Sequence, residues 1–149
     1  MTLVSRSALV PYSSEVMFRL VEDVDAYHHF LPWCKESRIL HRDEDCVRAM
    51  IVVSKSGLEK SFTTQNRLHP SKMIDIRLVE GPFRHLNGFW SFHGLPDNAC
   101  KVALDLEFEF ANRLLGMAFG RVFHQMANTL VDSFVHRADE LYGAPDAAY

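Results

Sequence analysis

Along residues 101–110 the chain alternates with period two. Val102, Leu104, Leu106, Phe108 and Phe110 take one face, and Lys101, Asp105, Glu107 and Glu109 take the other. Such alternation predicts a strand with one face in a core and one in water. The same partition sets Ile74, Ile76 and Leu78 against Asp75 and Arg77. It also sets Phe62, Thr64, Asn66 and Leu68 against Glu59, Ser61, Thr63, Gln65 and Arg67. Leu86, Gly88, Trp90 and Phe92 share a further inner face. Strands are therefore expected over 2–10, 34–41, 46–53, 58–68, 73–79, 84–92 and 101–110. Short turns at 42–45, 54–57, 69–71, 81–82 and 94–98 separate the last six, which predicts antiparallel neighbours.

Two short helical stretches follow the first strand. Pro11 ends that strand, and Ser13 or Ser14 caps a helix whose buried side is Val16, Met17, Leu20 and Val21. A further turn or two covers 23–30 and breaks at Leu31-Pro32. After residue 110 the period becomes helical. Leu115, Phe119, Val122, Phe123, Met126, Leu130, Phe134, Ala138 and Leu141 form one broad stripe. Asn112 is the expected N-cap, and Gly143 followed by Pro145 the stop signal. Some thirty residues at about 1.5 Å each give roughly 45 Å of helix. Such a helix cannot bury its stripe alone, and the inner faces of the strands supply the opposing surface. The expected fold is α+β: a curved antiparallel β-sheet wrapped around a long C-terminal α-helix, with two short helices after the first strand. A single domain is expected over residues 1–149. Gly116 and Gly120 cost the helix about 1 kcal/mol each relative to alanine, and leave a thin strip where the sheet or a ligand can come close.

Composition narrows the class of partner. A chain of 149 residues with 48% hydrophobic and 23% charged residues is an ordinary soluble globular protein, long enough for a real core. A net charge of −3 carries no electrostatic footprint for nucleic acid, so DNA is not an expected partner, although a local basic patch is compatible with it. Cys34, Cys46 and Cys100 are odd in number and widely spaced. They fit neither a disulfide framework nor a zinc site, and point to a reducing cytoplasm. The apolar runs are too short to span a membrane, and the first residues lack the layout of a signal peptide.

Candidate chemistry is sparse. The row Asp105, Glu107 and Glu109 suggests a metal or acid/base site, but reads better as a solvated face paired across strands with residues such as Arg67 and Arg77. His28 and His29 point about 100° apart on a helix and do not make a metal pair. His124 and His136 also diverge. No HExxH, CxxC, GxSxG or GxGxxG pattern occurs. Cys34 has no evident basic neighbour to lower its pKa, so packing is its expected role. Thr64 and Asn66 are more telling. An amide on an inner sheet face costs about 1–3 kcal/mol if unpaired. It is either satisfied internally, which base rates favour, or it serves the polar head of a ligand. The loops carrying Phe30, Trp33 and Phe83 either cap the core or form a hydrophobic mouth. The candidate ligand-binding surface is therefore this mouth together with Phe62, Thr64, Asn66, Ile76, Trp90, Phe92, Leu106 and Phe108 from the sheet. The helix adds Phe119, Phe123, Met126 and Leu130.

The order of elements resembles the START-like helix-grip superfamily. Within it, Val10-Pro11-Tyr12-Ser13, Asp25-Ala26-Tyr27, Phe30-Leu31-Pro32-Trp33-Cys34 and Ser61-Phe62-Thr63-Thr64 with Asn66-Arg67-Leu68 resemble the coenzyme Q-binding family. So do Gly81-Pro82-Phe83-Arg84 with Leu86, Gly88 and Trp90, and the stretch Leu104–Phe110. Bacterial members of that family are often labelled ribosome association toxin RatA. The likeness covers nearly the whole chain; one departure is His28, where proline would be expected.

The resemblance implies a cavity between helix and sheet that holds ubiquinone or another polyisoprenoid lipid. It implies no catalysis and no required cofactor, and a role supporting respiratory electron transport. It also implies a cytoplasmic protein with transient contact at the inner-membrane surface. At about 0.8 kcal/mol per buried CH₂, each prenyl unit would supply roughly 3–4 kcal/mol gross. The RatA label implies an alternative, binding to the 50S ribosomal subunit and blocking 70S association. That would require a patch built from residues such as Arg84, Arg121 and Arg137, against the acidic net charge. Polyketide cyclases in the same superfamily supply a third reading, which would need an acid or base inside the cavity.

Overall fold

In the computed structural model, which describes residues 1–143, the chain forms one sheet and two helices. The strands are β1 (Thr2–Val10), β2 (Cys34–Arg42), β3 (Cys46–Lys55), β4 (Leu58–His69), β5 (Met73–Glu80), β6 (Phe83–Leu95) and β7 (Ala99–Phe110). The helices are α1 (Ser14–Glu22) and α2 (Arg113–Tyr142), with a 3-10 segment at Val24–His29. The sheet order is β1-β7-β6-β5-β4-β3-β2, and every neighbouring pair is antiparallel. Strands β2 to β7 form a meander of hairpins. β1 instead lies beside β7, so the helical stretch after it crosses from one edge of the sheet to the other.

The predicted partition of β7 holds throughout: Val102, Leu104, Leu106, Phe108 and Phe110 are all buried. Register irregularities bend the sheet at Cys34/Glu36, Ile39/His41, Thr63/Thr64 and Phe83/His85. That curvature lets the inner face close around α2. β6 and β7 approach most tightly at Gly88, where a Cβ would sit 2.2 Å from the Asp105 carbonyl oxygen. No other residue fits there.

Both caps are as expected. Ser13 Oγ accepts from the Val16 N–H at 3.2 Å, and Asn112 Oδ1 accepts from the Leu115 N–H at 2.9 Å. The buried stripe of α2 differs in detail from the sequence pattern. Ala127 and Val131 join it, while burial ends at Ala138 and leaves Leu141 half exposed. Gly143 follows the helix in extended backbone, and Pro145 lies outside the described residues. The stretch at 23–30 is 3-10 rather than α. His28 donates its backbone N–H to Ser37 Oγ at 3.2 Å, a bond that proline would lack. β6 also runs on to Leu95, through residues expected to be loop. Asp97 and Asn98 adopt left-handed φ of 64° and 58°, so the three residues Pro96, Asp97 and Asn98 suffice for the turn.

Candidate functional site

Between α2 and the sheet lies an apolar cavity of about 90 Å³. The sheet contributes Phe62, Thr64, Asn66, Ile76, Trp90 and Leu106, and α2 contributes Phe123, Met126 and Leu130. Trp33 closes it from the loop before β2. The structure thus brings ten of the fifteen candidate residues around one space. It adds Val21, Val24 and Tyr27 from the first helical stretches, Ile51, Ile74 and Leu86 from the sheet, and Ala127 and Phe134 from α2. Ile51 was detectable in the alternation Val47, Ala49, Ile51, Val53. Val21 reads as buried in the first helix, but that it and Tyr27 line the cavity depends on where that stretch packs.

The other five candidates lie outside the cavity, each for a packing reason. Phe83 sits among Phe62, Phe110 and Phe123, with ring centroids at 5.6, 4.9 and 5.0 Å, and is core rather than mouth. Phe108 meets Phe123 edge-on at 4.8 Å, and Phe119 meets Phe110 at 5.9 Å. Phe92 packs against Phe18 at 5.7 Å. Phe30 backs Phe134 at 5.2 Å from outside, with the Arg137 guanidinium 5.1 Å from its ring centroid. Period two assigns a residue to the inner face but not to the row that meets a gap.

Polar groups in the lining are few and committed. The Thr64 hydroxyl donates to Asn66 Oδ1 at 3.0 Å, the internal satisfaction that base rates favoured. The Tyr27 hydroxyl donates to the Val21 carbonyl. Burial drives the Tyr27 pKa far above its ordinary value, with the nearby Asp23 charge adding to it, so it stays neutral. The lining contains no carboxylate, imidazole, ammonium or guanidinium. The Cys34 thiol is pushed up to about 11 by burial, with Ser37 and the Glu36 backbone only partly opposing it, and is a packing group.

The carboxylate row on β7 is a paired outer face, but with other partners than expected. Asp105 accepts from Ser5 at 2.8 Å, Glu107 pairs with His85 at 2.9 Å, and Glu109 with Arg84 at 2.7 Å. β7 lies between β1 and β6, whose residues take these partners, and neither Arg67 nor Arg77 forms an ion pair with it among the described residues. The His28 and His29 rings do not diverge as an α-helix would demand. In the 3-10 segment their centroids are 4.1 Å apart. Among the described residues no group of three His, Cys, Asp or Glu is placed to hold a metal. Arg84 and Arg121 border a common groove at the start of α2, joined by Arg113, whereas Arg137 sits near the other end of the helix. No helix among the described residues is long and apolar enough to cross a membrane.

A family model described as polyketide cyclase / dehydrase and lipid transport matches residues 10–135. The chain is 47% identical over 144 residues to the ribosome association toxin RatA of Escherichia coli, covering 97% of this chain and 91% of that protein. It is 28% identical over 145 residues to the mitochondrial coenzyme Q-binding protein COQ10 of Drosophila melanogaster, covering 95% of this chain and 60% of that one. Among solved structures, the Zhui aromatase/cyclase from a Streptomyces species superposes with a TM-score of 0.83 at 18% identity, over 97% of each chain. At that identity the likeness speaks for the helix-grip fold alone.

Proposed function

The chain belongs to the polyketide cyclase / dehydrase and lipid transport family, and from that premise we propose that it associates with the ribosome. In this reading it binds the 50S subunit and blocks its joining to the 30S subunit. The observation that carries the proposal is the 47% identity to a ribosome association toxin across 97% of the chain. Two features of the molecule support it. A cluster of guanidinium groups at the start of α2 gives an otherwise acidic protein a cationic face. The cavity is also small: about 90 Å³ is well under the roughly 300–1,000 Å³ of ordinary small-molecule sites. Action by occupancy needs no catalytic group. The lack of any acid or base in the cavity lining fits that economy better than it fits a cyclase. Sedimentation through a sucrose gradient tests the proposal. Purified protein mixed with ribosomal subunits is expected to travel with the 50S peak at moderate salt. Protein that stays at the top of the gradient sinks it.

A second reading rests on the cavity itself. Its walls are aliphatic and aromatic, with one hydroxyl–amide pair, which suits a hydrophobic ligand such as a quinone head or a short lipid tail. The distant likeness to a coenzyme Q-binding protein points the same way. A polyprenyl tail exceeds the space, so ubiquinone binding requires the cavity to widen or the tail to extend outside it. Organic extraction of purified protein followed by mass spectrometry tests this reading. Recovery of no quinone or lipid, together with no thermal shift on adding a short-chain quinone, removes it.

A further inference from the structure

α2 is divided by charge. From Asn112 to Val131 it carries no Asp or Glu, although the whole chain is net acidic. Arg113 occupies the first helical residue, where the positive end of the helix dipole disfavours a cation. Nothing in the packing compensates. Neither Arg113 nor Arg121 has a carboxylate partner among the described residues, and both side chains are exposed. Met117, between them on the helix, is 76% exposed. Residues 113, 117 and 121 are four apart, so they share one face, and eight residues of helix put the two arginines about 12 Å apart along its axis. Across the groove, Arg84 is held rather than free. Its guanidinium bonds Glu109, which lines the same groove, at 2.7 Å and the Ala111 carbonyl at 3.4 Å, which holds its remaining N–H donors at the edge of that space.

The floor of the groove is thinned without internal need. A Cβ at Gly116 would meet Phe110 at 4.0 Å, and one at Gly120 would meet it at 3.9 Å. Both are ordinary contacts, so alanine fits at either position. The strip is left bare towards the outside, between cations.

We propose that the groove formed by Arg84, Arg113, Arg121 and the Gly116–Gly120 strip is the face that binds the phosphate backbone of ribosomal RNA. The inference rests on the ribosome-association reading and adds the surface and the chemistry of contact. Guanidinium forks match phosphate oxygens, the dipole of α2 adds positive potential, and the glycine strip admits a bulky sugar–phosphate chain. The groove itself is lined by two exposed large apolar side chains, Met1 and Met117, with Leu114 exposed beside it, and by one carboxylate, Glu109. The two unpaired arginines lie about 12 Å apart along the helix, a spacing that suits phosphates of one chain, and among the described residues no continuous apolar face surrounds them for insertion into lipid.

The test titrates labelled protein with purified 50S subunits, with protein-free large-subunit RNA and with vesicles containing anionic phospholipid, from about 50 to 300 mM KCl. Wild-type protein is expected to bind 50S and RNA, with log K falling against log salt at a slope of about −2 to −3 for three phosphate contacts. The double variant Arg113→Glu/Arg121→Glu should lose at least tenfold in affinity, and its slope should shrink by about 1.5, with an unchanged melting temperature. The matched control Lys60→Glu/Lys101→Glu, exposed and outside the groove, should bind like wild type. Wild type that does not bind 50S overturns the ribosome reading and this inference with it. Wild type that binds while the arginine variant binds equally well overturns the inference alone. Arginine-dependent binding to 50S but not to RNA, or to vesicles instead, overturns the assignment of RNA as the partner.

Discussion

Filling the cavity offers a direct measure of whether it is a void. Ala127 is 2% exposed on α2 and lines the space, and leucine keeps a helix propensity close to that of alanine. At roughly 24 cal/mol per Å³, a cavity of about 90 Å³ corresponds to about 2 kcal/mol of lost stability. The three added carbons give a similar figure, at about 0.8 kcal/mol each. Ordering the new side chain offsets about 0.5–1 kcal/mol, so Ala127→Leu should stabilise by about 1–2 kcal/mol net. For a chain of this size that raises the melting temperature by about 3–6 °C. Phe123→Trp is a poorer choice, because Phe62, Phe83 and Phe108 already crowd that ring at 6.0, 5.0 and 4.8 Å. Differential scanning calorimetry reads the shift, and 50S binding is followed in parallel. Stabilisation with full 50S binding places the ribosomal function outside the cavity. A loss of 1–3 kcal/mol, the signature of overpacking, would refute the reasoning that the space is empty.

Three other outcomes follow from the geometry. Gly88→Ala should destabilise by about 3 kcal/mol or leave the protein insoluble, since the new Cβ would stand 2.2 Å from backbone oxygen; an unchanged denaturation midpoint would show that β6 and β7 can part. The Tyr12 hydroxyl donates to Asp139 Oδ1 at 2.6 Å, and that bond, with partial burial and the Asp139 charge, raises its pKa to about 12. Its stabilising effect is therefore complete below pH 10 and is lost as pH rises through about 12. Urea midpoints of wild type and Tyr12→Phe should differ at pH 8 and converge at the alkaline end, and a constant gap would contradict the assignment. Burial raises the pKa of Cys34 to about 11 and also raises that of Cys100, while Cys46 is half exposed. A thiol reagent at pH 8 should give one fast and two slow phases, with Cys46→Ser removing the fast one; a fast phase that survives would place the reactive thiol elsewhere.

Much of the fold is legible because it depends on local alternation. The faces of β7 and the caps at Ser13 and Asn112 follow from spacing alone, and no distant contact is needed to read them. What depends on sheet order is not legible. Arg67 and Arg77 were plausible partners for the β7 carboxylates until β1 and β6 took the adjoining places. Strand ends fail for a similar reason: Gly94-Leu95 reads as loop, yet Pro96 and the left-handed pair Asp97-Asn98 make the whole turn. In the site, the sequence pattern offers most inner-face aromatics as cavity walls. Five phenylalanines instead pack on other rings, Phe83 and Phe108 on Phe123, Phe119 on Phe110, Phe92 on Phe18 and Phe30 on Phe134, because alternation gives side and not depth. The basic groove was half visible. Arg84 and Arg121 stood out, but Arg113 joins them through the start of α2, and Arg137 is some sixteen residues, about 24 Å of helix, beyond Arg121.

The proposed role is to keep ribosomal subunits apart. Light scattering follows 70S formation after 30S and 50S subunits are mixed at a magnesium concentration that permits joining. Protein pre-incubated with 50S should lower the final scattering in a saturable way, and the Arg113→Glu/Arg121→Glu variant should need at least tenfold more protein for the same effect. A wild-type protein that leaves both the rate and the extent of 70S formation unchanged, at saturating excess over 50S, would contradict the account.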